Sequence, residues 1–219
     1  MGLPVLILGA SGAGKSASMR NFKPDEVGIF EVAGKPLPFR SKLPFANTSD
    51  YDVIKKIIGQ GTRKTYVIDD SQYLMAFYMF NHVKNVGYGK FTQCAVDFRN
   101  LIDFIVNGTS ADTIVYLLHH VDRDDNGFIK AKTQGKMLDN QLTVEGLFTI
   151  VLLAETDGKR HWFVTQSDGK TPTKAPMEMF PDKIDNDLKS VDAVIREYYG
   201  MAKNESQLTN VANKIKEEK

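Results

Sequence analysis

The segment GASGAGKS at residues 9–16 restricts what this chain can fold into more than any other feature. It matches the pattern GxxxxGK[ST], which binds nucleotide phosphates when a strand precedes it and a helix follows it. The apolar residues 4–8 predict that strand, and residues 15–21 favour that helix. The sequence therefore predicts a phosphate-binding loop that follows the first strand of a buried parallel sheet.

Each residue type in this loop has a chemical task. Glycines let backbone N–H groups turn inward around the phosphates, and the N-terminus of the following helix adds positive potential. Lys15 is expected to bridge the terminal phosphate oxygens as a catalytic point charge, and the Ser16 hydroxyl is expected to ligate magnesium. The residues predicted to bind the nucleotide are Gly9, Ala10, Ser11, Gly12, Ala13, Gly14, Lys15, Ser16 and Ala17.

Beyond this loop, short apolar runs alternate with helix-compatible stretches. The predicted strands are residues 4–8, 27–32, 65–68, 114–118, 147–153 and 161–165. The predicted helices are residues 15–21, 50–58, 72–83, 92–106 and 185–199. This alternation predicts an α/β fold, a three-layer sandwich with a mainly parallel central sheet that binds its ligands at the carboxyl ends of the strands. We assign residues 1–200 to one domain and residues 201–219 to a polar tail.

Composition and charge limit the cellular location and the partners that we expect for this chain. A single cysteine excludes an intramolecular disulfide, and no group of Cys and His has zinc-ligand spacing. No apolar run near the start approaches the length of a membrane span. We therefore expect a cytoplasmic protein with no membrane partner. Because the formal net charge is only +1, any affinity for nucleic acid must come from a local basic patch.

Carboxylates close the second and third predicted strands. Asp69 is expected to contact magnesium directly or through one of its ligands, next to Ser16. Asp70 has two interpretations, because it can polarise the attacking water or cap the helix that begins near Ser71. Glu31 can act as the general base toward a water in line with the terminal phosphate, although a lone glutamate at a strand end is equally compatible with a solvated residue.

His119 and His120 end the fourth predicted strand. A histidine at that position can donate a hydrogen bond to the terminal phosphate and so report its loss on hydrolysis. Because adjacent strand residues point to opposite faces, at most one of the two can do this while the other lies in the core. We assign the catalytic role to His119.

Residues 121–136 follow as a long polar loop, and long loops in compact domains are functional or disordered. Lys130, Lys132 and Lys136, with Phe128 available for stacking, are candidates to contact single-stranded nucleic acid. Arg123 is a candidate to reach a phosphate bound by a neighbouring subunit. A solvated charged loop is the alternative, because aspartates in the same segment dilute the positive charge.

These features together resemble the phage-encoded RecA-like P-loop ATPases, an AAA-domain group that includes single-strand annealing recombinases. The resemblance spans roughly residues 3–200 and rests on residues 9–16, Glu31, Ile68-Asp69-Asp70 and Leu118-His119-His120 with the basic loop. It implies that the strand carrying the histidines lies between the strand before the P-loop and the acidic strand. It also implies that Glu31 is the catalytic carboxylate.

The resemblance implies a magnesium-dependent, DNA-stimulated ATPase that acts on single-stranded DNA in phage recombination or replication, by annealing or strand exchange. It also implies a homo-oligomer in the host cytoplasm, with a single-strand-binding or replication protein as a further partner. ATP is favoured over GTP because no Asn-Lys-x-Asp motif is found in the expected region. Two alternatives stay open: a nucleotide-gated adaptor such as a helicase loader, and a small-molecule kinase, which the shortage of arginines in the loop disfavours.

Overall fold

Apolar strands without polar alternation form the centre of the molecule. The computed structural model describes residues 1–84, 87–124, 126–139 and 141–201, with the backbone alone at 136 and 137. Within these residues, nine strands form one mixed, mostly parallel sheet flanked by helices, which confirms the predicted α/β class. The strands are β1 (Leu3–Gly9), β2 (Val27–Glu31), β3 (Phe45–Asn47), β4 (Thr65–Asp69), β5 (Ile114–Arg123), β6 (Ile129–Ala131), β7 (Ile150–Thr156), β8 (His161–Val164) and β9 (Lys183–Asp185). The helices are α1 (Tyr51–Gly59), α2 (Gln72–Asn81), α3 (Gly89–Gly108), α4 (Lys136–Asp139) and α5 (Leu188–Tyr198).

The strand order is β3-β2-β4-β5-β1-β7-β8-β9, and β6 pairs with the end of β5. The strands from β3 to β7 in this order are parallel, whereas β8 and β9 continue the sheet by antiparallel pairing. β5 lies between β1 and β4, as the resemblance implied. The predicted pairing of residues 161–165 beside the preceding strand is also confirmed, because β8 pairs with β7.

Two hydrophobic clusters cover the two faces of the sheet. Leu6 and Leu8 belong to the cluster that packs against α1, α2 and α3. Val5 and Ile7 belong to the cluster that packs against α5. β1 is therefore buried on both faces, which explains why its sequence is an unbroken apolar run.

The helix predicted at residues 15–21 is present, but it is a short 3₁₀ helix and not an α-helix. It spans Ser16–Asn21, and the Phe22 N–H closes it by donating to the Met19 carbonyl oxygen at 3.1 Å. Phe22 is already extended, and the residue before Pro24 is sterically disfavoured in helical backbone. Too few residues therefore remain for a stable α-helix, and the expected positive potential of a long helix dipole is reduced.

Several boundaries differ from the prediction. β3, β6, β9 and α4 were not predicted, and β7 begins at Ile150 after a 3₁₀ turn at Val144–Leu147. α5 begins at Leu188 because the Asp187 carboxylate accepts hydrogen bonds from the Lys189 and Ser190 N–H groups. Of the predicted tail, residues 202–219 lie outside the described residues, so the division at residue 200 stays a prediction. No helix in the described ranges combines the length and apolarity needed to cross a membrane.

Candidate functional site

The carboxyl ends of the central strands place the predicted site residues along one edge of the sheet. β1 ends at Gly9, β2 at Glu31 and β4 at Asp69, and Glu31 pairs in register with Asp69. The P-loop follows β1 at this edge and borders a cavity of about 290 Å³. The cavity is lined by Ser11, Gly12, Gly14, Lys15, Ser16, Ala17, Lys35, Pro38, Asp70, His120 and His161.

At two positions the loop takes a backbone conformation that only glycine adopts freely. Gly12 has φ +80° and Gly14 has φ +96°, both in the left-handed region. A Cβ atom on Gly14 would lie 2.8 Å from His161 Nδ1, so the imidazole covers this point of the loop. The same nitrogen donates to the Ala13 carbonyl oxygen at 3.1 Å. The predicted loop residues Ala10 and Ala13 thus supply carbonyl oxygens to side chains and do not line the cavity.

Lys15 is folded back onto its own loop. Its ammonium donates to the carbonyl oxygens of Gly9 at 2.8 Å and Ala10 at 3.0 Å. Burial lowers the pKa of Lys15 to about 8, and the opposing attraction of Asp70 and Asp69 only limits the shift. A phosphate in the cavity offers this buried cation a stronger, charged acceptor.

Ser16 and Asp69 meet across 53 residues of sequence. The Ser16 hydroxyl donates to Asp69 Oδ1 at 3.0 Å, and the Asp70 N–H donates to the same oxygen at 3.0 Å. Burial raises the pKa of the Asp69 carboxyl, while the Ser16 hydrogen bond partly opposes that shift. This pair fits a magnesium ion held through one hydroxyl, one carboxylate, phosphate oxygens and water. Magnesium bound with substrate phosphates needs no all-protein cage, and no group of three or more His, Cys, Asp or Glu side chains arranged for a metal occurs within the described ranges.

Asp70 is held by two side chains from other segments of the chain. It adopts φ +56°, accepts a hydrogen bond from His120 Nε2 at 3.1 Å and forms an ion pair with the Lys35 ammonium. Burial alone raises the pKa of Asp70, but the hydrogen bonds from His120 and Lys35 outweigh it and hold the pKa at about 2. The capping interpretation is wrong, because α2 begins after Ser71 without a side-chain cap.

Glu31 is buried, with 2 % of its surface exposed, so the solvated interpretation is wrong. Its Oε1 atom has no hydrogen-bond partner among the described residues. Burial, followed by repulsion from Asp69 and Asp70, raises the pKa of the Glu31 carboxyl to about 7. A buried carboxylate with one oxygen unpaired in the described structure and a raised pKa has properties expected of a general base.

The two histidines occupy opposite faces, as alternation required, but the cavity-lining one is His120. His119 is fully buried, with Nδ1 2.9 Å from Ser71 Oγ and Nε2 donating to the Lys132 carbonyl oxygen at 2.8 Å. Burial lowers the pKa of His119 to about 4, which keeps the ring neutral. His120 therefore contacts Asp70 and lines the cavity, whereas His119 lies in the core.

Sequence reasoning missed Lys35 and His161. Lys35 follows β2 by four residues, in a proline-containing stretch that offered no periodic signal, and its ammonium also lies 5.8 Å from the centre of the Tyr73 ring. His161 begins β8, whose pairing was predicted, but nothing in the sequence showed that this strand begins beside the P-loop. The sequence offered one signal for these two residues. Both lie near ends of predicted strands that meet at the same edge of the sheet.

The predicted polar loop at residues 121–136 is partly ordered as a β-hairpin. β5 continues to Arg123 and pairs with β6, and the Asp124 carboxylate accepts the Asn126 and Phe128 N–H groups in the turn. Lys130 forms an ion pair with Asp139 at 2.6 Å, so its charge is compensated. The exposed candidates are Arg123, Phe128 and Lys132. The side chain of Lys136 and residue Asp125 lie outside the described parts of the chain.

Sequence comparison with known proteins identifies no relative of this chain. No known family model matches the chain, and no curated protein is significantly similar to it in sequence. The chemical interpretation of the site therefore depends on its own residues and contacts.

Proposed function

We propose that this protein is a magnesium-dependent ATPase of the RecA-like P-loop type, with the three-layer architecture of that class. The observation that carries the proposal is the Ser16–Asp69 hydrogen bond, which joins the P-loop to the acidic strand at the edge where a nucleotide-bound magnesium is coordinated. The position of β5 between β1 and β4 supports the same class. The cavity beside these residues receives the phosphates.

Binding uses the groups that border the cavity. The N–H groups of the P-loop face the phosphate oxygens, and the Lys15 ammonium moves from the Gly9 and Ala10 carbonyl oxygens to the terminal phosphate. Ser16 and Asp69 would hold magnesium, which would supply positive charge to the phosphate oxygens. Lys35 and His120, already at the cavity wall, add positive charge and a hydrogen-bond donor next to the terminal phosphate.

Hydrolysis requires a base that accepts one proton from water. The water oxygen attacks the terminal phosphorus, the bond from that phosphorus to the bridging oxygen breaks, and the water proton passes to the Glu31 carboxylate. Glu31 is placed for this step by its register beside Asp69 and by its Oε1 atom, which is unpaired within the described part of the chain. Asp70 is a poor base because its two partners hold its pKa at about 2, and it serves to position Lys35 and His120.

We further propose that the ATPase acts on single-stranded DNA through the β5–β6 hairpin. The supporting observation is that β5 runs from the cavity into the hairpin. It carries His120 at the cavity, and the Lys132 N–H donates to the His120 carbonyl oxygen at 2.8 Å. A change at the phosphate can therefore move the hairpin, which exposes Phe128 and Lys132 for stacking and charge contacts. In a homo-oligomer, exposed Arg123 at the end of β5 is the group proposed to reach a neighbour's phosphate.

Phosphate release from magnesium–ATP tests the proposal. We expect the wild type to release phosphate and single-stranded DNA to stimulate it, Lys15→Ala to lose nucleotide binding, and Glu31→Gln to bind ATP but turn over at least about 100-fold more slowly. Lys42→Ala, an exposed lysine outside the cavity, is the matched control and keeps full activity. Absence of ATP binding would refute the ATPase. Hydrolysis that depends on Lys15 but ignores DNA would refute the DNA role and favour the nucleotide-gated adaptor.

A further inference from the structure

The P-loop cavity borders a second, larger groove at the same sheet edge. The groove has a volume of about 630 Å³, within the range of small-molecule sites. His161 lines both spaces, with its ring against the P-loop at Ala13. The two spaces therefore adjoin at His161, and a ligand that extends beyond the phosphate cavity would pass this residue to reach the groove.

The walls of this groove combine an aromatic ring, an aliphatic side chain and charged groups. The Trp162 indole is fixed by its N–H, which donates to Glu155 Oε2 at 3.2 Å, and the Lys183 ammonium lies 5.1 Å from the ring centre. Ile184 and Pro181 add apolar surface, and Asp185 offers a carboxylate acceptor. A flat base with exocyclic amino groups, attached to an anionic chain, matches this combination of stacking, cation and acceptor.

A buried donor lies beside Gly14 of the P-loop, although it lines neither of the two spaces. Asn186 directly follows β9 and is 3 % exposed, and its Nδ2 atom has no acceptor among the described residues. The same nitrogen would be 3.3 Å from a Cβ atom on Gly14, so it lies beside the P-loop. Buried amide donors without an acceptor are uncommon in native structures, which marks this end of the P-loop as a place where a polar contact is still unmade.

We propose that this groove, formed by Arg160, Trp162, Lys183 and Ile184, holds the base and ribose of the nucleotide whose phosphates occupy the P-loop cavity. Trp162 provides the stacking surface, and Lys183 and Asp185 provide a cation and a hydrogen-bond acceptor for the nucleotide. The inference rests on the proposed nucleotide binding and adds where the nucleoside lies and which residues select it.

Trp162 is the only tryptophan of the chain, so its emission reports directly on the groove. The experiment titrates the wild type with magnesium–ATP and with magnesium–tripolyphosphate, following tryptophan fluorescence and measuring affinity by calorimetry. We expect both ligands to bind, ATP to change the emission, and tripolyphosphate to leave it unchanged. Trp162→Ala should weaken ATP binding about tenfold and leave tripolyphosphate affinity unaltered.

Lys159→Ala is the matched control, because Lys159 is exposed in the turn between β7 and β8 but does not line the groove. It should keep the affinity for both ligands, whereas Lys183→Ala should weaken ATP alone. Binding of both ligands with the same emission response, or with none, would overturn the nucleoside site and leave the ATPase proposal standing. If neither ligand binds, both proposals are wrong.

Discussion

At the scale of single residues, burial decides which titratable groups carry chemistry. Glu31 and His119 are both buried, yet burial raises the pKa of the acid to about 7 and lowers that of the base to about 4. Each shift favours the neutral form. Glu31 keeps one oxygen beside Asp69 without a partner among the residues that the structure describes, whereas His119 is held in the core by hydrogen bonds at both ring nitrogens.

The lowered pKa of His119 predicts a pH-dependent stability. In the unfolded chain the ring has its ordinary pKa of about 6.5, so acidification protonates the unfolded state first. Stability is thus fully present above about pH 6.5 and is lost as the pH falls toward about 4. Between about pH 7.5 and about pH 5 this group should lower the free energy of unfolding by about 2 kcal/mol, measured by urea denaturation.

His119→Gln should remove that part of the pH dependence, because the amide can hydrogen-bond but does not titrate. His82→Gln, at the end of α2, is the control and should keep the wild-type slope. An unchanged slope in His119→Gln would show that His119 does not contribute to the acid sensitivity.

At the scale of elements, the P-loop depends on its contact with β8 as well as on its own glycines. Gly14→Ala adds a methyl group 2.8 Å from His161 Nδ1 at φ +96°, so it combines backbone strain with a clash. We expect ATP affinity to fall at least about tenfold, since the loop must shift away from the path that we propose binds phosphate. Calorimetry with magnesium–ATP measures the effect.

Gly61→Ala is the control variant, because it adds backbone strain without a steric clash. Gly61 has φ +64°, a Cβ atom added there would meet no atom within 4 Å, and the residue lies after α1, away from the site. This variant should lose stability and retain the wild-type affinity for ATP. Equal affinity losses in the two alanine variants would contradict the role assigned to the Gly14–His161 contact.

At the scale of the whole molecule, one buried ionic network anchors α5 to the sheet. Arg196 donates to Asp192 Oδ2 at 2.6 Å and to the carbonyl oxygens of Asp112 at 2.8 Å and Lys64 at 2.9 Å. Asp192 also accepts from the Tyr116 hydroxyl at 3.2 Å. The network lies at the amino ends of β4 and β5, opposite the cavity, so it supports the sheet without entering the chemistry.

Arg196→Met should destabilise the fold by about 3–5 kcal/mol, because it leaves the Asp192 charge buried without its cation. Urea denaturation measures the loss. Arg99→Met, on an exposed position of α3, should cost less than about 0.5 kcal/mol. Similar losses for the two variants would show that the network contributes no more than a surface arginine.

The P-loop, the acidic strand end and the α/β alternation were readable from the sequence, because each depends on local residue order. GxxxxGKS specifies a backbone path, and period and apolarity specify strands such as β1 and β4. The placement of β5 came from resemblance, and its parallel pairing with both β1 and β4 confirms it.

Only the tertiary structure decided which side chains share the cavity. Lys35 and His161 reach it from segments outside the P-loop, and His120 takes the position expected of His119 because the register of β5 sets the face of each residue. The pKa values of Glu31 and Asp70 likewise depend on burial and on partners brought together by the sheet. Local order determines which chemical groups the chain carries, whereas their distances and electrostatics arise from strand pairing between segments that are remote in sequence.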